Sequence, residues 1–355
     1  MTQPAWEILA ISPPVPSVVR SPKERNRWGV VLAGGDGVRL RPVTRLICGD
    51  DRPKQFCPLF GEKTLLEQTL QRAESIIASE RLLVSLARDH VDWYSQQAGL
   101  LASQCVVQPA NKGTAPAILH SLLSIAKLDG QALVAILPCD HHYSDEPSFA
   151  FDLEFAFETA AQRPEVIVLL GAKPDYPEVE YGWIELGSPL RGEGSEVFQV
   201  RGFQEKPNMD LARKLFKRGC LWNTFVMVGT VEAFLQIVRA NLGELLDLLG
   251  SARMWAGEET HIEHALYRRV PPVSFSVDVL SAAETSRLAV LRLKHAGWSD
   301  LGDPERALLA IRDGGHQPMW LTEWATVERR SGGQSLATAP IASYPASCAS
   351  SRPRY

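Results

Sequence analysis

The residues with the clearest chemical potential form a glycine-rich loop followed by a series of cations. Gly34, Gly35 and Gly37 come directly after the apolar run 28–33. Glycine lets the backbone adopt φ > 0 and bring its N–H groups close to an anion. The cations that follow are Arg39, Arg41, Arg45, Arg52 and Lys54. Because Arg can bind two phosphate oxygens at once and Lys supplies a point charge, this arrangement favours a polyphosphate site over a tight turn with solvated arginines.

The spacing of the loop excludes two well-known phosphate motifs. A P-loop requires Gly-x-x-x-x-Gly-Lys-Ser/Thr, which this segment lacks. A dinucleotide fingerprint requires Gly-x-Gly-x-x-Gly, and its third glycine would fall on Leu40. A dehydrogenase on a dinucleotide fold is therefore disfavoured. The pattern that remains is Gly-Gly-x-Gly-x-Arg-Leu-x-Pro, a variable stretch and then Pro-Lys.

Two further loops carry polar groups. Residues 108–116 lead from a predicted strand to the start of a predicted helix, where free N–H groups favour polar or anionic ligands, although routine capping is a sufficient explanation of this segment alone. Asp140 follows a buried strand, and a carboxylate beside phosphates suits Mg²⁺. His141 and His142 are weaker metal candidates because adjacent side chains point apart and no third ligand is near in sequence.

The composition is ordinary for a soluble globular protein. The 355 residues are 45% hydrophobic and 22% charged, with a formal net charge of -4, so neither nucleic-acid nor membrane binding is expected. The six cysteines are scattered without a Cys-x-x-Cys pair, which argues against a zinc site or a disulfide framework and suits the cytoplasm. No apolar run is long enough to span a membrane, and the start of the chain does not resemble a signal peptide.

Strand and helix patterns alternate along the chain. They predict an α/β fold: a three-layer, Rossmann-like, mostly parallel sheet with helices on both faces. In such sheets ligands bind outside the carboxyl ends of the strands, so the three loops should converge. We expect a flexible extension over 1–26, a catalytic domain over 27–312, and a tail over 313–355 that is largely disordered after about residue 330, from the Pro-, Ser- and Gly-rich composition of both ends.

The ordered set of motifs resembles the sugar-phosphate nucleotidyltransferases, from about Trp28 to Ile311. The segment 53–61, Pro-Lys-Gln-Phe-Cys-Pro-Leu-Phe-Gly, is most similar to the mannose-1-phosphate guanylyltransferase branch. Further matches are Gln-Pro-Ala-Asn-Lys-Gly-Thr-Ala-Pro-Ala at 108–117, Pro-Cys-Asp-His at 138–141, Tyr-Gly-Trp-Ile at 181–184, Glu-Lys-Pro at 205–207, Trp-Asn-Thr-Phe at 222–225 and Trp-Ser-Asp-Leu-Gly at 298–302. Thr224 and Phe225 stand where the family has Ser and Gly, so the sugar is less specified than the reaction.

The resemblance implies a fold of the nucleotide-diphospho-sugar transferase type and a role for each matched residue. Arg39 and the loop amides would hold the β- and γ-phosphates, Lys54 would steady the phosphates, and Lys206 would position the sugar phosphate. The nucleotide would be bound by Gly34, Gly35, Gly37, Gln108, Gly113 and Thr114, with Gln108 and Gly113 at the base edge. The sugar phosphate would be bound by Gly182, Glu205, Lys206 and Asn223, and Mg²⁺ by Asp140 and Asp300.

The implied reaction transfers a nucleotidyl group from GTP to mannose 1-phosphate, giving GDP-mannose and pyrophosphate. Alternatives are dTTP or UTP with glucose 1-phosphate, or a catalytically silent nucleotide-sugar-binding regulator. The chain is expected to be monofunctional. The sequence reveals neither the pathway served nor the oligomeric state, for which a homodimer is the candidate.

Overall fold

The computed structural model describes residues 26–97, 99–190, 195–255, 267–294 and 297–324. The extension predicted over residues 1–26 and the part of the tail predicted to be disordered lie almost entirely outside the described residues. Of the helices described, none is long and apolar enough to cross a membrane.

Alternating strands and helices build the molecule. The strands are β1 (Arg27–Leu32), β2 (Leu82–Ala87), β3 (Cys105–Gln108), β4 (Leu133–Pro138), β5 (His142–Tyr143), β6 (Ile167–Ala172), β7 (Gly182–Pro189), β8 (Val197–Glu205), β9 (Leu221–Thr230), β10 (Leu288–Arg292) and β11 (Trp298–Ser299). The helices are α1 (Arg41–Cys48), α2 (Leu65–Glu74), α3 (Val91–Tyr94), α4 (Thr114–Leu128), α5 (Glu146–Gln162), α6 (Met209–Lys217), α7 (Val231–Trp255) and α8 (Pro304–Asp313).

Nine of these strands form one sheet in the order β3-β2-β1-β4-β9-β6-β10-β8-β7, and β5 pairs with β11 in a separate ribbon. Only β8 and β9 run against the common direction of the large sheet. The predicted mostly parallel α/β fold is therefore confirmed. The antiparallel hairpin of β7 and β8 has no counterpart among the predicted elements. Its two strands are adjacent in sequence, but its place in the sheet depends on β9 and β10, which come later in the chain.

Helices cover both faces of the sheet, as predicted. Residues of α2, α5 and α6 pack on one face, and residues of α4 and α7 pack on the other. The strands between them are almost fully buried, which is why they read as continuous apolar runs.

Capping residues set where several helices begin. The Thr64 hydroxyl accepts a hydrogen bond from the Glu67 N–H, and the Glu67 carboxylate accepts one from the Thr64 N–H, which starts α2. The Asp145 and Asp303 carboxylates likewise cap α5 and α8, each of which has proline in its first turn.

A third apolar cluster joins α1, α8 and the segment that follows α8. Trp320 is buried in it and donates a hydrogen bond from its indole N–H to the Leu59 carbonyl oxygen. Part of the segment predicted as a tail thus packs against the body of the protein. The domain boundary at residue 312 stays a prediction.

Candidate active site

The glycine loop follows β1 at its carboxyl end, where the sequence predicted a ligand site. Gly37 has φ +56°, and a Cβ atom at this position would lie 2.9 Å from the main-chain nitrogen of Lys54. Only glycine satisfies both requirements without strain. The buried side-chain amide of Gln55 donates hydrogen bonds to the carbonyl oxygens of Ala33 (3.0 Å) and Gly35 (2.7 Å). The loop is therefore held in shape by the residue directly after Lys54.

A cavity of about 360 Å³ opens beside this loop, a size suited to a small ligand. Its lining comes from the three predicted loops, the strands and helix that flank them, β2 and β9. The lining residues are Leu32, Gly34, Gly35, Ser85, Gln108, Asn111, Gly113, Thr114, Ala117, Pro138, Asp140, His141 and Phe225. Five of the predicted nucleotide-binding residues, along with Asp140, are thus brought to one place.

Gln108 is buried at one wall of the cavity with its amide held in a fixed orientation. Its Oε1 accepts a hydrogen bond from the Tyr267 hydroxyl (2.6 Å), and its Nε2 donates to Ser85 Oγ (3.2 Å). An amide nitrogen carries two hydrogens, and among the described residues Ser85 alone accepts one of them, so one N–H of Gln108 is left for a ligand. Sequence reasoning missed Tyr267 because it lies far from the motif that it supports.

The start of α4 forms another wall. Gly113 has φ +88°, and a Cβ atom there would lie 2.4 Å from the Val273 carbonyl oxygen. The Thr114 hydroxyl accepts a hydrogen bond from the Phe275 N–H (2.8 Å). The segment around Val273 therefore packs against the loop so closely that only glycine fits.

Lys54 is buried and links the two predicted metal ligands. Its ammonium donates to the main-chain oxygens of Asp300 (2.8 Å) and Leu301 (2.9 Å) and lies 3.2 Å from Asp140 Oδ2. All three ammonium hydrogens are thus directed at protein groups. Its direct contact with substrate phosphates stays a prediction. The contacts seen here hold the Asp140 and Asp300 loops together.

Nearby charges lower the pKa of both carboxylates. Burial acts to raise the pKa of Asp140, but the charges of Lys54 and His141 outweigh it, and the pKa is lowered. The pKa of Asp300 is also lowered, because Arg306, Lys54 and His141 outweigh its burial. Both groups are therefore ionised near neutral pH.

Asp300 has three further partners. Its Oδ1 accepts hydrogen bonds from the Tyr181 hydroxyl (2.8 Å), the Gly302 N–H (3.0 Å) and Arg306 Nη1 (2.9 Å). Arg306 also contacts Glu178 and Asp303 and lies over the Tyr181 ring. Sequence reasoning missed Arg306, since an arginine in the first turn of an amphipathic helix carries no signal of its own.

Two exposed cations from distant parts of the chain meet at one carboxylate. Glu180 Oε2 lies 3.3 Å from Arg39 Nη1 and 3.6 Å from Lys206 Nζ. Arg39 follows the glycine loop, and Lys206 follows β8. The predicted triphosphate cation and the predicted sugar-phosphate cation are therefore neighbours. Glu180 directly precedes the Tyr-Gly-Trp-Ile motif, but the sequence predicted no role for it.

The remaining predicted sugar residues lie together at the ends of β7, β8 and β9. Gly182 pairs with Glu205 across the hairpin, and a Cβ atom on Gly182 would lie 2.6 Å from Glu205 Oε2. Asn223 is next to them, 3.3 Å from the same position. Burial raises the pKa of Glu205, with Lys206 acting in the opposite direction. Among the described residues, no hydrogen bond to the Glu205 carboxylate is seen, which leaves it for a ligand.

Backbone strain is concentrated at this site. Within the described part of the chain, φ is positive at three non-glycine residues, which are Lys206 (42°), Phe225 (60°) and Leu301 (47°). Each lies in or next to a predicted site motif. Left-handed φ at bulky residues costs free energy and is found where surrounding structure enforces it, often at functional sites.

Within the described residues, no group of three or more His, Cys, Asp or Glu side chains is arranged to hold a metal ion. The predicted pair of carboxylates is compatible with this, because Mg²⁺ in phosphate sites commonly uses one or two carboxylates and completes its shell with water and substrate oxygens.

Comparison with known proteins identifies relatives in polysaccharide and nucleotide-sugar synthesis. The chain is 30% identical over 285 residues to the xanthan biosynthesis protein XanB of Xanthomonas campestris pv. campestris (strain B100), covering 77% of this chain and 57% of XanB. It is 28% identical over 284 residues to the mannose-1-phosphate guanylyltransferase of Escherichia coli (strain K12), covering 78% and 58%. The chain thus spans a little over half the length of these relatives.

A solved structure supports the same relationship. The crystal structure of a protein described as mannose-1-phosphate geranyltransferase from Thermus thermophilus superposes with a TM-score of 0.69 at 31% identity, covering 81% of this chain and 79% of that one. The fold is therefore of the nucleotide-diphospho-sugar transferase type. The nucleotidyl transferase family profile matches residues 28–313. By this match and by the site that its motifs assemble, the chain belongs to the nucleotidyl transferase family.

Proposed function

We propose that this chain transfers a guanylyl group from GTP to mannose 1-phosphate, giving GDP-mannose and pyrophosphate. The observation that carries the transfer between two phosphorylated substrates is the meeting of Arg39 and Lys206 at Glu180. The choice of GTP and mannose 1-phosphate follows the relatives named mannose-1-phosphate guanylyltransferase. Cations from the two halves of the chain converge on one anionic group, as expected where two phosphorylated substrates react. Glu180 stands in for a phosphate in this arrangement.

The reaction needs charge compensation more than proton transfer. The sugar phosphate is already an anion near neutral pH, so its oxygen attacks the α-phosphorus without a general base. The barrier lies in bringing two anions together and in stabilising charge on the oxygens of the transferred and leaving groups. Arg39 and the amides of the glycine loop would hold the triphosphate, and Lys206 would bring the second phosphate into line.

Mg²⁺ fits the oxygens that the site offers. Lys54 occupies one oxygen of Asp140, and among the described residues the other oxygen has only His141, 3.8 Å away. In the part of the chain that the structure describes, Oδ2 of Asp300 is hydrogen-bonded to Arg306 alone, whereas Oδ1 accepts three hydrogen bonds. Each carboxylate can therefore supply one hard oxygen ligand. A bound Mg²⁺ would neutralise charge on the triphosphate, and Lys54 and Arg306 would keep the two carboxylates in position.

The pocket offers one hydrogen-bond donor for an acceptor on the edge of the base, and the choice among guanine, thymine and uracil is made by the assay below. Guanine presents the N7 and O6 acceptors, and the remaining N–H of Gln108 is a matching donor. On the sugar side, Glu205 and Asn223 offer a carboxylate and an amide for hydroxyl groups. Phe225, with its strained backbone, lies on the cavity wall near Asn223 and would limit which hexose fits.

A pyrophosphate-release assay tests the proposal directly. The protein, with its cysteines kept reduced by dithiothreitol, is assayed with GTP, dTTP, UTP, ATP and CTP against a panel of sugar 1-phosphates, with and without Mg²⁺. We expect release with GTP and mannose 1-phosphate to exceed every other pair. Preference for dTTP or UTP with glucose 1-phosphate would reassign the substrates, and no release in any combination would favour a regulator that only binds nucleotide sugars.

The metal assignment has its own variants. Asp140→Ala and Asp300→Ala should each nearly abolish Mg²⁺-dependent release, whereas the exposed Asp92→Ala should behave as wild type. Turnover retained in either site variant would remove that carboxylate from the proposed metal site.

We propose that the enzyme works in the cytosol, since five described cysteines are free thiols. A homodimer stays a prediction.

A further inference from the structure

Two cysteines, Cys48 and Cys57, lie together on either side of the segment that contains Lys54 and Gln55. Their Sγ atoms are 3.5 Å apart. Cys48 ends α1, and Cys57 follows the short turn Lys54–Phe56. A disulfide has an S–S length of about 2 Å, so the sulfurs need to approach by roughly 1.5 Å to form one. The spacing in sequence gave no sign of this pair, because the approach results from the turn that returns the chain to α1.

The two thiols differ in their exposure and in their pKa. Cys48 is half-buried, and the hydrogen bond from Cys57 lowers its pKa, with Arg52 acting in the same direction against burial. Cys57 is fully buried, and its hydrogen bond to Cys48 and its burial raise its pKa well above the usual value. Oxidation favours the more accessible thiolate when a second thiol is positioned to resolve it. Cys48 is therefore the sulfur that reacts first.

The chain between these cysteines supports the site. It contains Lys54, whose ammonium contacts the Asp140 carboxylate and the Asp300 carbonyl oxygen, and Gln55, whose amide holds the glycine loop. The Cys57 N–H donates to the Lys54 carbonyl oxygen (3.0 Å). Movement of Cys57 toward Cys48 is therefore transmitted to Lys54 through the backbone.

We propose that Cys48 and Cys57 form a reversible disulfide on exposure to a peroxide and that this bond lowers the activity of the site. The Cys48 thiolate attacks hydrogen peroxide, gaining an oxygen and releasing hydroxide, which gives a sulfenic acid. The Cys57 thiol then attacks the Cys48 sulfur and water leaves as the S–S bond forms. In total, two thiols are oxidised to one disulfide and one peroxide is reduced to two waters. The effect on activity rests on the proposed function, but bond formation does not.

Peptide mapping of the full chain tests the bond. The reduced protein is treated with hydrogen peroxide, its remaining thiols are alkylated, and a non-reducing digest is analysed by mass spectrometry. We expect a linked Cys48–Cys57 peptide that dithiothreitol separates. The half-buried Cys105, whose pKa burial raises, is the matched comparison and should stay alkylated. Absence of the linked peptide while Cys48 is converted to higher oxides would overturn the proposal.

Pyrophosphate release on the same samples tests the consequence. We expect oxidation to reduce turnover several-fold and dithiothreitol to restore it, in wild type and in Cys105→Ser. Cys48→Ser and Cys57→Ser should keep their turnover under the same treatment. Equal losses in these variants, or a linked peptide with unchanged turnover, would refute the regulatory role. If the reduced wild type is inactive with every substrate, the proposed function fails, while the peptide map still decides the disulfide.

Discussion

Gly37→Ala is the substitution that we expect to disturb the glycine loop most. Gly37 has φ +56°, and a Cβ atom would lie 2.9 Å from the Lys54 main-chain nitrogen. Alanine in a left-handed conformation costs about 1–2 kcal/mol. The contact with backbone adds to this cost, because a peptide group cannot rotate away as the end of a side chain can. The variant should therefore lose more stability than strain in φ alone explains.

The same substitution should damage catalysis through Lys54. Relief of the contact pushes Lys54 away from Gly37 and disturbs its alignment with Asp140 and Asp300. Loss of one preorganised electrostatic contact commonly costs on the order of 10²–10³ in kcat. We expect a fall of that order in pyrophosphate release, together with a lower urea midpoint.

Two neighbouring glycines separate these effects. Gly49 has φ +77°, and a Cβ atom added there would meet no other atom within 4 Å, so Gly49→Ala should lose about 1 kcal/mol of stability and keep its turnover. A Cβ atom added at Gly35 would meet none of the described atoms outside its own chain neighbours within 4 Å, and φ there is not positive. Gly35→Ala should therefore stay as stable as wild type but raise KM for the triphosphate, because the methyl group hinders its close approach. If Gly37→Ala matches Gly49→Ala in both urea midpoint and kcat, the reasoning about Lys54 is refuted.

Three further predictions concern charged residues of the site. Arg306→Gln should lower the free energy of unfolding in urea by about 3 kcal/mol, since it removes the arginine that is paired with the poorly exposed Asp300 carboxylate. Arg306→Lys should recover part of that loss. Equal urea midpoints for wild type and Arg306→Gln would contradict this. Glu180→Gln should lower KM for both substrates at low ionic strength, since it frees two cations for phosphate, and unchanged KM values would remove its competing role. Because burial raises the folded-state pKa of Glu205, its ionisation reduces stability as pH rises through that pKa. Glu205→Gln should therefore have the higher urea midpoint at neutral pH, with the difference shrinking in acid, while KM for the sugar phosphate rises; a midpoint difference independent of pH would count against this account.

Much of the fold could be predicted because its information is local. The apolar run before Asp140 indicates a buried strand, and the alternation of strand and helix patterns indicates a mostly parallel sheet. The convergence of the three loops also followed, since parallel strands bring their carboxyl ends to one edge. The hairpin of β7 and β8 was not predicted, and its place in the sheet depends on pairing with β10, where Ala289 lies opposite Gln199.

The sequence by itself determined the residue types of the site and the order in which its motifs occur, because glycine loops, strand-end carboxylates and Glu-Lys-Pro are readable within a few residues. Tertiary structure decided what each side chain contacts. It directs Lys54 to Asp140 and the Asp300 loop, brings Arg39 and Lys206 to Glu180, and places Arg306 on Asp300. The physical reason is that these contacts join segments far apart in the chain or depend on the direction in which a helix leaves a loop. No local pattern encodes such distances; packing of the whole sheet and its helices sets them.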